Sequence, residues 1–263
     1  MQQFIFQLLL RDSSQRLPYI PAYVFRGVVM EFLGAIDERF VAELHRPNEI
    51  RPYAIAIHRT PPFLNFQLVS LKEAISNAII QRLLTAENIP ISVNGWEFLI
   101  VRINIENIPM TNFMRDPQRL VKFQIRFLTP TYFNIRDRGF DIRLPESNFL
   151  FPNIAKIWNQ HASPECQIDA NEFYNWVSKQ VFPSSYALQT KPVNIGKAQP
   201  KVGCVGWANY LVNDPESPYA HWIDILLKFA EYVNVGGNRT AGCGVIKYKP
   251  LETSNTRIDS LTQ

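Results

Sequence analysis

Two observations on the sequence predict an α+β fold. Strand-length apolar runs alternate with amphipathic stretches of helical period over the first half, in the order β-α-β-β-α-β. The second half approximates the same element order, although no sequence identity between the halves is visible. Together they point to tandem ferredoxin-like βαββαβ units, one over residues 1–112 and the other over residues 113–263.

The first strand is the apolar run Gln3–Leu10, and Pro18 and Pro21 mark the loop behind it. Helical spacing of Val24, Val28, Met30, Phe32, Leu33 and Ile36 predicts a helix over Ala22–Ile36, with a second helical piece over Glu38–Leu44. Tyr53–His58 and Phe63–Val69 are strands joined across Thr60-Pro61-Pro62; Leu71–Leu84 is a helix, and Trp96–Ile105 is a strand. Pro109 to Pro117 is the connection between the units. In the second unit, Val121–Leu128 is a strand and Thr129–Phe133 a turn, followed by a basic irregular stretch up to Arg143. Helices are predicted over Ile154–His161 and Asn171–Val181, and strands over Leu188–Ile195 and Val202–Val212. An amphipathic helix over Tyr219–Val233 and a closing strand over Gly244–Tyr248 complete the unit.

With 46% hydrophobic and 13% aromatic residues in 263, the chain can bury a sizeable core. No apolar run approaches the ~18 to 20 residues that span a bilayer, and the first residues carry no signal-type pattern, so a cytoplasmic location is expected. Cys166, Cys204 and Cys243 lie far apart, without a CxxC pair, and are read as reduced thiols with no metal site. His161 and His221 likewise lack acidic or cysteine partners at ligand spacing. The formal charge of +4 tilts the choice of partner toward a polyanion only slightly.

A stronger signal is the segment Val235–Tyr248, which holds Gly236, Gly237, Gly242 and Gly244, four of the chain's eleven glycines. Glycines so clustered suggest tight turns, positive φ, or a ligand pressed against the main chain. Arg239 in its middle, with Lys247 and Lys249 beyond, favours an anion. Backbone N–H groups of such a loop can face phosphates, and Asn238, Arg239 and Thr240 supply side-chain contacts. Arg26 on the first helix, and Lys197 and Lys201 near a predicted hairpin, are further candidates for contact with such an anion. Arg136, Arg138 and Arg143 add basic charge, and Tyr132 and Phe133 are either stacking platforms or core.

The run Phe229–Lys247, with its glycine loop, resembles the signature of the repeat-associated RNA-binding (RAMP) proteins of CRISPR systems. Within that superfamily the chain most resembles the precursor-CRISPR-RNA endoribonucleases, the sixth-numbered Cas family. Phe127–Phe133 opening the second unit, Leu44-His45, and the two-unit layout carry the narrower likeness. The resemblance implies cleavage within a CRISPR repeat RNA by its own 2'-hydroxyl, without metal or other cofactor, and association with other Cas proteins of an effector complex. It also implies a role for His45, whose imidazole can take or give a proton near neutrality, and for Arg51, where the family often has lysine. Met30 stands where members with a three-residue site commonly have tyrosine, and methionine transfers no proton. Three readings stay open: His45 and Arg51 act as a pair, a neighbour such as Tyr53 or Arg46 completes the site, or the protein is slow or inert. His58, beside Arg59, is a rival to His45.

Overall fold

The computed structural model describes residues 1–12, 14–34, 44, 50–85, 90–135 and 140–254. The fold is α+β, and the chain divides into two compact units. The first holds Met1–Ile108 with the short segments Asn194–Gln199 and Arg239–Gly242; the second holds Pro109–Val193, Pro200–Asn238 and Cys243–Gln263.

In the first unit, β1 (Gln2–Leu10) leads through a 3-10 turn at Ala22–Val24 into α1 (Phe25–Gly34). A hairpin of β2 (Tyr53–Thr60) and β3 (Phe63–Ser70), then α2 (Glu73–Thr85), β4 (Ile91–Val93) and β5 (Trp96–Asn107), complete it. The sheet is antiparallel, in the order β2-β3-β1-β5-β4. Alternation along β1 sends Phe4, Phe6, Leu8 and Leu10 to one face, where they meet Phe25, Val29, Phe32 and Leu33 of α1 and Ile75 and Ile79 of α2. Phe6, Phe66 and Phe25 form a continuous ring stack, with centroids 5.4 and 4.8 Å apart. The short strand β4 was not anticipated, yet Asn94 and Gly95 join it to β5 with φ of 52° and 80°, the left-handed pair a two-residue hairpin demands.

The second unit runs β6 (Leu120–Thr131), β7 (Phe133–Asn134), β8 (Asp141–Ile142), α3 (Ser147–His161), α4 (Ala170–Gln180), β9 (Val181–Val193), β10 (Lys201–Val212), α5 (Ala220–Val233) and β11 (Ile246–Thr253). Its main sheet is antiparallel in the order β11-β6-β10-β9, and β7 and β8 pair separately. In both main sheets the unit's first strand therefore lies between its last strand and the strand that follows the first hairpin turn. Phe123, Ile125 and Phe127 of β6 face a core with Phe151, Trp158, Leu226 and Phe229.

Three expectations need correction. Thr129–Thr131 of the expected Thr129–Phe133 turn is instead the end of β6, carried on by pairing with β10, and Phe133 already begins β7. The helix expected from Ile154 begins at Ser147 and accommodates Pro152. The strand expected from Leu188 starts at Val181, straight out of α4; Pro183 is tolerated because β9 is an edge strand.

Candidate functional site

The second unit contributes the start of the glycine loop, through Asn238. After α5, Asn234 turns the chain with φ 59°. Gly236 N–H donates to Asn153 Oδ1 and Gly237 N–H to the Tyr132 carbonyl, both at 2.8 Å. The Asn238 amide donates to the Tyr132 hydroxyl. Farther along, Cys243 N–H reaches the Asn238 carbonyl at 3.3 Å and Gly244 N–H the Pro130 carbonyl at 3.2 Å. The loop amides expected to face phosphates are thus largely donated inside the protein. Their glycines are needed because backbone comes close: a Cβ on Gly236 would stand 2.3 Å from the Tyr132 oxygen. Lys201 is ion-paired to Asp141 at 2.8 Å and lies 5.8 Å from the Tyr132 ring centre.

The first unit gathers the other candidates around the start of α1 and β2. Arg26, in the first turn of α1, donates from Nη2 to the Ile195 carbonyl at 2.5 Å and from Nε to the Tyr23 carbonyl at 3.4 Å. Gly196, with φ +77°, allows that approach: a Cβ there would stand 3.1 Å from both Arg26 Nη2 and the Tyr23 ring. Lys197, next in this segment, is exposed. Arg51 precedes β2 and is half-buried. Its carbonyl accepts from Arg239 Nη2 at 2.8 Å, and Arg239 is only 6% exposed. Burial pulls the Arg239 guanidinium down to about 10, so it remains charged at neutral pH. The 3-10 turn Arg239–Ala241 rests against β2 and Ala22–Val24, with Gly242 N–H closing onto the Arg239 carbonyl at 3.2 Å. Gly242 must be glycine, since its φ is +77° and a Cβ would meet that of Ala22.

Tyr53, the first residue of β2, sits among these cations. Burial raises its phenol above the ordinary value, while the charges of Arg26 and Arg51 and a hydrogen bond with the Thr240 side chain pull it back. Burial prevails, so the phenol stays protonated at neutral pH. Arg26, Arg51, Arg239, Thr240 and Gly242 are therefore brought together with Tyr53 in one unit. The Tyr53–Thr240 bond was not foreseen. Its sequence signal was a tyrosine two residues from an arginine at a strand start, and its partner lies 187 residues away by the numbering.

His45 and Arg46 lie outside the described residues, as do Arg136, Arg138 and most of the helical piece expected over Glu38–Leu44; Leu44 itself is buried. Met30 packs on the first unit's hydrophobic core. His58 is exposed on β2, Arg143 is exposed, and Tyr132 and Phe133 are buried. A chemically useful surface here means the half-buried Arg26 and Arg51 guanidinium groups and the exposed Lys197 ammonium, with Arg26 held by backbone carbonyls, all of a chemistry that meets phosphate oxygens.

Residues 125–246 match the family model described as CRISPR-associated endoribonuclease Cas6. A protein of Mycobacterium tuberculosis described in the same words is 25% identical over 232 residues, covering 86% of this chain and 70% of that protein. Among solved structures, a Cas6 product complex superposes with TM-score 0.78 at 17% identity, covering 94% of this chain and 99% of the other. Thermus thermophilus Cas6 gives 0.72 at 18% identity, with coverage of 94% and 98%. The structural likenesses speak for the fold, and the sequence matches speak for descent. The chain is thus similar, in sequence and in fold, to the Cas6 family of CRISPR-associated endoribonucleases.

Proposed function

We propose that the protein binds CRISPR repeat RNA and cuts it once per repeat, using the RNA's own 2'-hydroxyl as nucleophile. The 2'-oxygen attacks the adjacent phosphorus and loses its proton to a base; the bond from phosphorus to the 5'-oxygen breaks, and that oxygen gains a proton. The products are a 2',3'-cyclic phosphate and a 5'-hydroxyl. His45 is assigned the proton transfers and Arg51 the charge on the pentacoordinate phosphate. Neither role calls on a metal or another cofactor.

The observation that carries this reading is the cluster of Arg26, Arg51 and Arg239 about Tyr53. Arg239 acts there from behind, holding the Arg51 backbone, while Arg26, Lys197 and Lys201 contact phosphates along the RNA. In this reading Gly236, Gly237 and Gly244 shape the backbone that presents Asn238 in the second unit, and Gly242 that which presents Thr240 in the first. The architecture is read as two ferredoxin-like domains, about 1–112 and 113–263, in a cytoplasmic protein that stays on its product within an effector complex of other Cas proteins. Met30 favours one alternative, a repeat-binding subunit with little or no catalysis, because the first helix offers no proton-transferring side chain there.

Labelled repeat RNA incubated with the protein in EDTA is expected to be cut at one position. His45→Ala and a 2'-deoxy sugar at the cut should each abolish cleavage, and Arg51→Ala should slow it about 10² to 10³-fold. Cleavage that needs a divalent ion, or that survives His45→Ala, would refute the mechanism. Tight, salt-sensitive binding without any cut would establish the alternative.

A further inference from the structure

We propose that β5 is a self-pairing edge through which two copies of this chain join their first-unit sheets, about a two-fold axis at Asn104. Along one side, β5 pairs with β1 from Phe98 to Asn107. On the other side its partner, among the described residues, is the three-residue β4, which covers only Trp96–Phe98. From Leu99 onward that edge has no strand partner among the described residues, and Leu99, Val101 and Ile105 are 42%, 46% and 49% exposed. Of these, Val101 and Ile105 fall within the stretch that a second copy of the strand would pair with.

The charges on this edge fit a second copy of the same strand. Sheet edges are commonly protected by like charges that repel a neighbour. Here the stretch beyond the bulge at Val101 is regular and carries one cation and one anion, Arg102 and Glu106, with Asn104 midway. Arg102 Nε donates to Asn104 Oδ1 at 3.1 Å, which confirms that both stand on the same face. In an antiparallel pair centred on Asn104, Arg102 of each copy lies opposite Glu106 of the other. Ile103 lies opposite Ile105 on the other face, so both contacts occur twice. Centring on Arg102 or Glu106 would oppose like charges, and centring on Ile103 or Ile105 would leave both charges unmatched. The register is thereby specified by the sequence of the edge itself.

Sedimentation equilibrium on the full-length protein, from low to high micromolar concentration, tests this. The wild type is expected to pass from monomer to dimer. Arg102→Glu or Glu106→Arg alone should raise the dissociation constant about tenfold, since two favourable cross-strand pairs become repulsive ones. The double variant Arg102→Glu/Glu106→Arg should dimerise like the wild type. The two single variants mixed in equal amounts should form a heterodimer, because each then meets its opposite charge. Circular dichroism checks that every variant is folded. A monomer at all concentrations, a dimer indifferent to the single reversals, or a mixture that fails to pair would overturn the proposal. None of these readouts uses RNA or cleavage, so the outcome is independent of the proposed function.

Discussion

A methyl group at Gly244 would stand 1.8 Å from the Val235 carbonyl oxygen, on a residue with φ of +75°. Gly244→Ala must therefore pay for left-handed backbone and also push main chain apart. We expect it to lower stability by about 3 kcal/mol, measured as a shifted urea midpoint; an unchanged midpoint would show that the loop is less constrained than its contacts indicate. Tyr53→Phe is milder. It leaves the Thr240 hydroxyl short of one partner and should cost about 1 kcal/mol. At this scale the sequence marked the right residue types but misjudged what some of them do. Gly236, Gly237 and Gly244 were legible as special backbone, whereas the partners of their amides were not, because Asn153, Tyr132 and Pro130 are far off in sequence.

Among the elements, α1 starts with a cation where the helix dipole favours an anion. Arg26 is tolerated because its guanidinium is held by the Ile195 and Tyr23 carbonyls. Replacing it with methionine removes the latch on Asn194–Gln199, and tryptic cutting after the exposed Lys197 should then quicken about tenfold. An unchanged cutting rate would mean that β9 and β10 alone hold that connection. Most elements were readable because hydrophobic periodicity is a local property: β1, the β2–β3 hairpin, α2, α4, β10 and α5 all fall within a few residues of expectation. At α3 and β9 the elements start earlier than expected: α3 begins at Ser147 and carries Pro152 inside it, and β9 begins at Val181 with Pro183 on a sheet edge, where a missing N–H is tolerated.

For the whole molecule, buried phenols set a limit at high pH. Burial raises Tyr53, Tyr210 and Tyr248 above the ordinary value of 10.0, and for Tyr248 the Asp224 carboxylate adds to the shift. The folded state thus keeps these protons after the unfolded chain begins to lose them. Their contribution to stability is fully present below pH 10 and is lost as pH rises beyond it, toward the raised folded values. Arg239, depressed to about 10, acts in the opposite sense, but it is one group against three. Melting temperature should be nearly flat from neutrality to about pH 10 as far as these groups govern it, then decline, with phenolate absorbance from them appearing only on unfolding. Early phenolate titration in the folded protein would contradict their burial. Taken by itself, the sequence determined the order of the longer strands and helices and the need for glycine in one loop, since both follow from neighbours along the chain. Only the tertiary structure decided that Arg239 is enclosed beneath Arg51 and that Arg26 grips Ile195. Those contacts join residues 188 and 169 positions apart, and folding rather than local spacing determines which distant carbonyl a guanidinium meets.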